Sequence, residues 1–484
     1  VARLAFKPDA SFFRKIAIGA VGTRAACEHL AVHGHQAVEL ERGSTDTKLW
    51  KDVKRKRVRI PDLVCTRCGL RVECRTKTKP DLSMSHSLTD EARTWDFGMV
   101  DTDYIAFPIC VADDEAHWSA GKLGPDGSYW HERNWVRWKT DGRINYFPVR
   151  SFRATPHAKS STKGVTEGSE TTISWPAVFA SQPGVVETVV GQRVTTRLPP
   201  GGRRHSRTVP AGLRVFITPG QAIEANEVIA ATVEPVSRAA LDCPEVLPEG
   251  QIGHLLSSRE RTLRFTGIKL ARLRNEPAFR DLVTDLANDE EEDVYIRLEG
   301  LSYLTAVCGI SPRHLFPPYL ASADPQTQLE AVIALGDTGT LAAVELLSGL
   351  LDDATQPYFL RSAAAWCLSR IGGVGASKRL VSAFADVHPT IREDALDGLP
   401  SADRPSRSSL PGFGKRTRRW PRAAPRHSAS AAGCPRKPLR SWPGSFVASG
   451  RPAGQSGWSV TCRATRWHRR SRRSRSRHRS STLP

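Results

Sequence analysis

The residues best suited to chemistry lie in one short segment, Arg59-Ile-Pro-Asp-Leu-Val-Cys-Thr-Arg-Cys-Gly-Leu-Arg-Val-Glu-Cys-Arg-Thr-Lys77. Pro61-Asp62 is followed eleven positions on by Glu73, then by Arg75 and Lys77. Two carboxylates can hold a hard cation such as Mg2+ or Mn2+, and a nearby cationic side chain can orient water and offset charge on a phosphate. Metal-dependent phosphodiester hydrolysis needs that combination. If Asp62 and Glu73 sit on adjacent antiparallel strands, the side chains of Glu73, Arg75 and Lys77 alternate onto one face. Val72, Cys74 and Thr76 then point the other way.

The elements that must position these groups are readable around them. Val21, Ala25, Leu30 and Val32 predict a helix from Ala20 that ends at Gly34. A strand is expected at Ala37-Val38-Glu39-Leu40, two more at 58–64 and 70–76 around the turn Arg67-Cys68-Gly69, and another at 103–107. Helix, strand, Pro-Asp strand and Glu-x-Arg strand, in that order, resemble the restriction-endonuclease-like PD-(D/E)xK nuclease superfamily. The resemblance implies an α/β domain over residues 1–150. It also implies metal ligation by Asp62, Glu73 and the Cys74 backbone carbonyl, with Arg75 or Lys77 at the water and phosphate, and Glu28 as a supporting carboxylate. Arg75 departs from the pattern, which has lysine there. Arginine keeps its charge but cannot act as a base, and Lys77, on the same face, can take that role.

Other readings of the same residues stay open. Pro-Asp is common in turns, and an alternating charged strand face is often the solvent side. Cys65-Thr-Arg-Cys68 is a knuckle of the kind that binds Zn2+, with Cys74, His86 and Cys110 as nearby candidates for the remaining ligands. It can equally be two small residues in a strand turn. Lys51, Lys54, Arg55, Lys56, Arg57 and Arg59 suit contact with a nucleic-acid backbone, or form a solvated loop. Trp118, Trp130, Trp135 and Trp138 can stack on bases, or pack a hairpin. His33 and His35 are expected at the surface, and the acidic run from Asp289 to Asp293 as a solvated helix start.

Residues 151–255 read as a β-rich connector with no identifiable chemistry. From about 256 to 400 the chain turns Leu- and Ala-rich, with an internal period. Leu304, Leu335, Leu368 and Leu399 are spaced 31, 33 and 31 residues apart. Arg297, Gln328, Arg361 and Arg392 stand seven before them, and the small residues Gly300, Ala331, Ala364 and Ala395 stand four before. These offsets place small and apolar residues on one helical face. Second helices are expected at 342–351 and 376–385. The pattern resembles the HEAT-repeat family, in a short form also found in phycobilisome lyase subunits. It implies an α-helical solenoid whose exposed ridge binds a protein partner or a nucleic-acid backbone.

Charge sharpens this organisation. The chain of 484 residues carries a formal +20, but residues 401–484 hold 21 Lys+Arg and one acid, Asp403. The first 400 residues are balanced. Residues 48–79 are the basic stretch of that body, with 12 Lys+Arg against Asp52, Asp62 and Glu73. The tail has the composition of a disordered Arg/Ser-rich segment, and the fourth repeat breaks off at Pro400. An out-of-frame translation accounts for both features; a nucleic-acid-binding tail accounts for the first.

Ten cysteines in a chain this long fit a reducing, cytoplasmic setting, and no apolar run reaches a membrane span. The expectation is therefore a multidomain protein that cleaves or binds nucleic acid, DNA in the first instance, with Mg2+ or Mn2+ and no membrane partner. The alternatives are a non-enzymatic HEAT-repeat adaptor and a lyase-like repeat protein. Resequencing the end of the gene tests the tail: a shifted frame downstream of the codon for Pro400 is the expected result.

Overall fold

A computed structural model describes residues 10–43, 58–112, 138–165, 168–199, 202–244 and 249–399. The basic run 51–57, Trp118, Trp130, Trp135 and the tail 401–484 lie outside the described residues. The N-terminal region is a mixed sheet with a helix on one face, the middle is strand-rich, and the C-terminal region is helical.

Helix α1 (Ala10–Val32) leads through Gly34, at φ +79°, into strand β1 (Ala37–Glu39). It is longer than the expected helix because its apolar pattern continues toward the N-terminus. Strands β2 (Leu63–Cys65) and β3 (Arg71–Cys74) follow, then β4 (Ser83–Ser87), β5 (Tyr104–Phe107), β6 (Cys110–Ala112), β7 (Trp138–Thr140) and β8 (Asn145–Pro148). The central sheet runs β1-β2-β3-β5-β8. Its β1–β2, β2–β3 and β5–β8 pairs are antiparallel, and β3–β5 is parallel. Leu63 and Val72 bury one face against Ala26 and Leu30 of α1. The alternate residues Val64 and Leu40, with Ile60, bury the other face against the helical region.

Nine strands, β9 to β17, lie between residues 158 and 231, and β10 (Gly168–Ser174) pairs with β4. The first 150 residues and the middle region therefore share a sheet. Trp138 lies opposite Ala112 in the β6–β7 pair.

A five-residue helix, α2 (Val149–Arg153), follows β8. The helical region is α3 (Glu249–Leu256), α4 (Arg261–Arg274), α5 (Arg280–Asn288), α6 (Val294–Ala306), α7 (Pro312–Leu315), α8 (Pro317–Leu320), α9 (Pro325–Thr338), α10 (Leu341–Asp352), α11 (Tyr358–Ile371), α12 (Gly373–Ser382) and α13 (Pro389–Gly398). Local signals start these helices. Asp293 accepts from the Tyr295 N–H, Asp324 from the Thr327 N–H ahead of Pro325, and Thr340 from the Ala343 N–H. Helices α4, α6, α9, α11 and α13 stack successively, with α5, α10 and α12 packed behind them. Small residues permit the close approach: a Cβ on Gly300 would lie 3.0 Å from the Ala287 Cβ of α5.

The recurring polar position has a structural task. Arg297 donates to the Ala287 carbonyl at 3.3 Å, Gln328 to that of Leu320 at 3.2 Å, Arg361 to that of Leu351 at 2.9 Å, and Arg392 to that of Asp386 at 2.7 Å. Each reaches carbonyls at or just beyond the end of the preceding helix, where the backbone has no helical partner. Gln328 does the same work as the arginines because the task is donation. In the acidic run, Glu292 is buried and pairs with Arg264 at 2.5 Å, so that helix start is not simply solvated.

The sheet is bound to the stacked helices by polar side chains. Arg42, 3% exposed, pairs with Glu299 of α6 and with Asp337 of α9 at 2.9 Å. Arg272 and Lys269 of α4 complete the group, Arg272 at 2.8 Å from Glu299 and Lys269 at 3.4 Å from Asp337. Burial opposes the charge on Asp337, but Lys269, Arg42 and Arg272 outweigh it and hold the carboxyl well below its usual range. Glu39 pairs with Arg370 of α11 at 3.2 Å, and Arg71 donates to Thr262 of α4 at 2.8 Å. Successive first helices are thus engaged by the protein's own sheet, and along this face the repeat ridge is not exposed as the sequence suggested.

Arg42→Ala is expected to cost about 3–5 kcal/mol, because it leaves buried carboxylates short of a cation. Denaturant unfolding measures this. Arg42→Lys should recover little, since an ammonium cannot span both carboxylates as a guanidinium does.

Candidate functional site

The β2–β3 register pairs Leu63 with Val72, which sets Asp62 across from Glu73 one step along. The Cys74 N–H donates to Asp62 Oδ2 at 2.8 Å and fixes that carboxylate. The Asp62 carbonyl accepts from Leu40 N at 2.8 Å and Glu41 N at 3.3 Å, drawing Glu41 alongside. Arg75 pairs with Glu73 at 3.0 Å and donates to the Trp95 carbonyl at 3.3 Å. Arg59 donates to the Thr94 carbonyl at 3.2 Å.

The carboxylates repel one another. Burial, then Glu73 and Glu41, push Asp62 well above the usual carboxylate range. Burial also raises Glu73, against the opposing charges of Arg75 and Arg59. Asp62 and Glu73 share the sheet face that Val64 and Leu40 turn toward the helices. A cleft of about 950 Å3 is lined by Arg59, Arg153, Arg259 and Arg261 and equally by Glu91, Asp96, Asp101, Glu260 and Asp293, and neither Asp62 nor Glu73 lines it.

Lys77 stands apart from this group. Its ammonium bonds Ser83 Oγ at 3.0 Å and pairs with Asp81 at 3.4 Å. Burial lowers its pKa against the opposing pull of Asp81, with Arg75 adding to the lowering. Thr76 meets Gly22 of α1, on the opposite face. Glu28 is exposed on α1, the helix that packs on the Leu63–Val72 face of the sheet, opposite the face carrying Asp62 and Glu73. Arg59 is half-buried in the cleft wall, not on an open basic surface.

A second cluster lies at the β2–β3 turn. His35, Cys65, Cys68 and Cys243 bring their ligand atoms within 4.8 Å of one another. The Cys65 thiol is pulled down to about 3, first by the hydrogen bond from Cys68, then by His35 and the N–H groups of Cys68 and Arg67, against desolvation. The Cys68 thiol, donating to Cys65 and buried, is pushed up. The nearby candidates suggested by sequence are elsewhere. Cys74 is beside Asp62, His86 accepts from the Trp95 N–H, and Cys110 is near the Ile18 carbonyl. His35 is 4% exposed, not a surface histidine, and His33 pairs with Asp242 at 2.8 Å. His35 and Cys243 lie 30 and 178 residues from Cys65, beyond the reach of a spacing argument; the turn signal at Gly34 was the one local hint.

The helical repeat has an independent match. Residues 313–400 match the HEAT-repeat family. The HEAT-repeat segment covers α8 to α13 whole and most of α7. None of the curated proteins matches this sequence. Among the described residues, no helix is long and apolar enough to cross a membrane.

Asp62→Asn is expected to stabilise the protein in buffers without Mg2+ or Mn2+ at about pH 8. The folded-state pKa of Asp62 is raised, so its contribution is full below the unfolded value and lost as pH rises through the folded one. Asparagine keeps an acceptor for the Cys74 N–H without the charge. Thermal melts across pH check this: the gain over wild type should shrink as pH falls toward about 4.

Proposed function

We propose that the N-terminal sheet is a restriction-endonuclease-like module that binds and cleaves nucleic acid with Mg2+ or Mn2+. The HEAT repeats form a solenoid scaffold behind it. The observation that carries this reading is Asp62 facing Glu73 across an antiparallel pair, with Arg59 and Arg75 around them. The order helix, strand, Pro-Asp strand, Glu-x-Arg strand supports it.

Hard carboxylate oxygens crowded in a desolvated corner are a donor set that fits a divalent cation. Asp62, Glu73 and the Cys74 carbonyl would hold it. When bound, the ion supplies Lewis-acid stabilisation of phosphate charge and makes water more acidic. The guanidinium groups of Arg75 and Arg59 would offset charge on the phosphate. Arg75 also holds Glu73 in place. Lys77 is held away from the carboxylates by Ser83 and Asp81, and would take or release a proton there only after leaving them. The basic run from Lys51 to Arg57 leads directly into Arg59 in the chain and would extend the backbone contact.

A second reading is a non-enzymatic HEAT-repeat adaptor whose front domain only binds. The Glu73–Arg75 pair favours it, because that pair already neutralises one proposed ligand. Purified full-length protein with plasmid DNA and Mg2+ or Mn2+ separates the two. Nicking or cutting is expected, reduced roughly 100-fold or more by Asp62→Ala and by Glu73→Ala. Cutting unchanged by both variants, or salt-sensitive binding with no cutting, would sink the enzyme reading.

A further inference from the structure

We propose that His35, Cys65, Cys68 and Cys243 form a structural zinc site that joins three separated segments of the chain. The proposal does not depend on the nuclease reading. Its first support is donor chemistry. Three thiols and one imidazole are the ligand set of a closed tetrahedral Cys3His site. Zinc–sulfur bonds of about 2.3 Å and zinc–nitrogen bonds of about 2.0–2.1 Å require ligand atoms about 3.5–3.8 Å apart. Cys65 Sγ lies 4.0 Å from Cys243 Sγ, and Cys68 Sγ lies 3.5 Å from His35 Nδ1.

The second support is how each ligand is held. His35 presents Nδ1 to the thiols while its Nε2 is 2.9 Å from the Leu241 carbonyl. An N–H donated to that carbonyl fixes the tautomer that leaves Nδ1 free to ligate. Cys65 and Cys68 flank a tight turn in which the Gly69 N–H donates to the Cys65 carbonyl at 2.9 Å, with Gly69 at φ +74°. Cys243 is drawn in by its own N–H, which donates to the His33 carbonyl at 2.8 Å. Leu241, two residues earlier, is buried with Leu30 of α1 and Leu63 of β2. All three segments are therefore anchored by contacts that need no ion, and the four donors converge on one point.

A disulfide is the competing use of these thiols. The 4.0 Å between Cys65 and Cys243 is about twice a sulfur–sulfur bond of ~2.05 Å. A single disulfide would also leave His35 and the third thiol without a task. Zinc uses all four.

The test is metal analysis of the full-length protein, purified under reducing conditions. About one zinc per chain is expected, and cobalt in its place should give the ligand-field and thiolate charge-transfer bands of a tetrahedral site. Cys243→Ser and His35→Ala should lower zinc to near zero. Cys110→Ser, Asp62→Ala and Glu73→Ala should retain it. His35→Cys, which makes a four-thiolate set, should also retain zinc, and it guards against loss through misfolding. In the folded wild type, Cys65, Cys68 and Cys243 should become alkylated together only after chelation. Wild-type protein without zinc, zinc undiminished by Cys243→Ser, or a Cys65–Cys243 disulfide by mass would each overturn the proposal.

Discussion

The structure depends on a buried charge group that the N-terminal sheet and the helices build jointly. Arg42 leaves the end of β1 and enters a site walled by Glu299, Asp337, Arg272 and Lys269. Its guanidinium lies 5.1 Å from the centre of the Tyr295 ring, which stacks on Phe265. Isolated buried charges are costly, so this group is stable only when the sheet and the helices are together. The desolvated pairs make the docking specific, and the apolar cluster of Leu40, Ile60 and Val64 with the helices supplies the non-directional attraction. A helical repeat that elsewhere would offer this face to a partner here holds part of its own chain.

The β2–β3 pair is the element through which the rest communicates. One face contributes Leu63 and Val72 to the cluster with α1. The other carries Val64 to the helices, Arg71 to Thr262, and the facing carboxylates Asp62 and Glu73. Its turn carries Cys65 and Cys68. A slip of one residue would exchange these faces, placing carboxylates against α1 and leucine at the charged site. The hydrogen bond from the Cys74 N–H to Asp62 and the pair between Arg71 and Asp103 both resist such a slip.

What could be read in the sequence follows from the range of each signal. The repeat was legible because its period is a local rule applied several times, and the arginine column marks helix ends that are also local. Asp62 and Glu73 were legible as neighbours because one short turn joins their strands. Arg42 was not, because its partners are 257 and 295 residues away. His35 and Cys243 were missed for the same reason: the knuckle announces two ligands, and only the fold brings the others. Lys77 failed by a different route. Alternation along a strand predicts its side, but β3 ends at Cys74, and beyond it Asp81 and Ser83 take the ammonium.

That last difference bears on how an arginine can stand where a lysine is expected. A lysine beside two carboxylates combines two tasks, charge compensation and proton exchange. Under the proposed reading the tasks would fall on separate residues. Arg75 keeps its charge and pairs with Glu73, and its guanidinium can contact a phosphate without losing a proton. Burial makes the Lys77 ammonium easier to deprotonate, although Asp81 opposes the effect. Under the proposed reading, proton exchange then requires Lys77 to leave Ser83 and Asp81, or a water to bridge the gap.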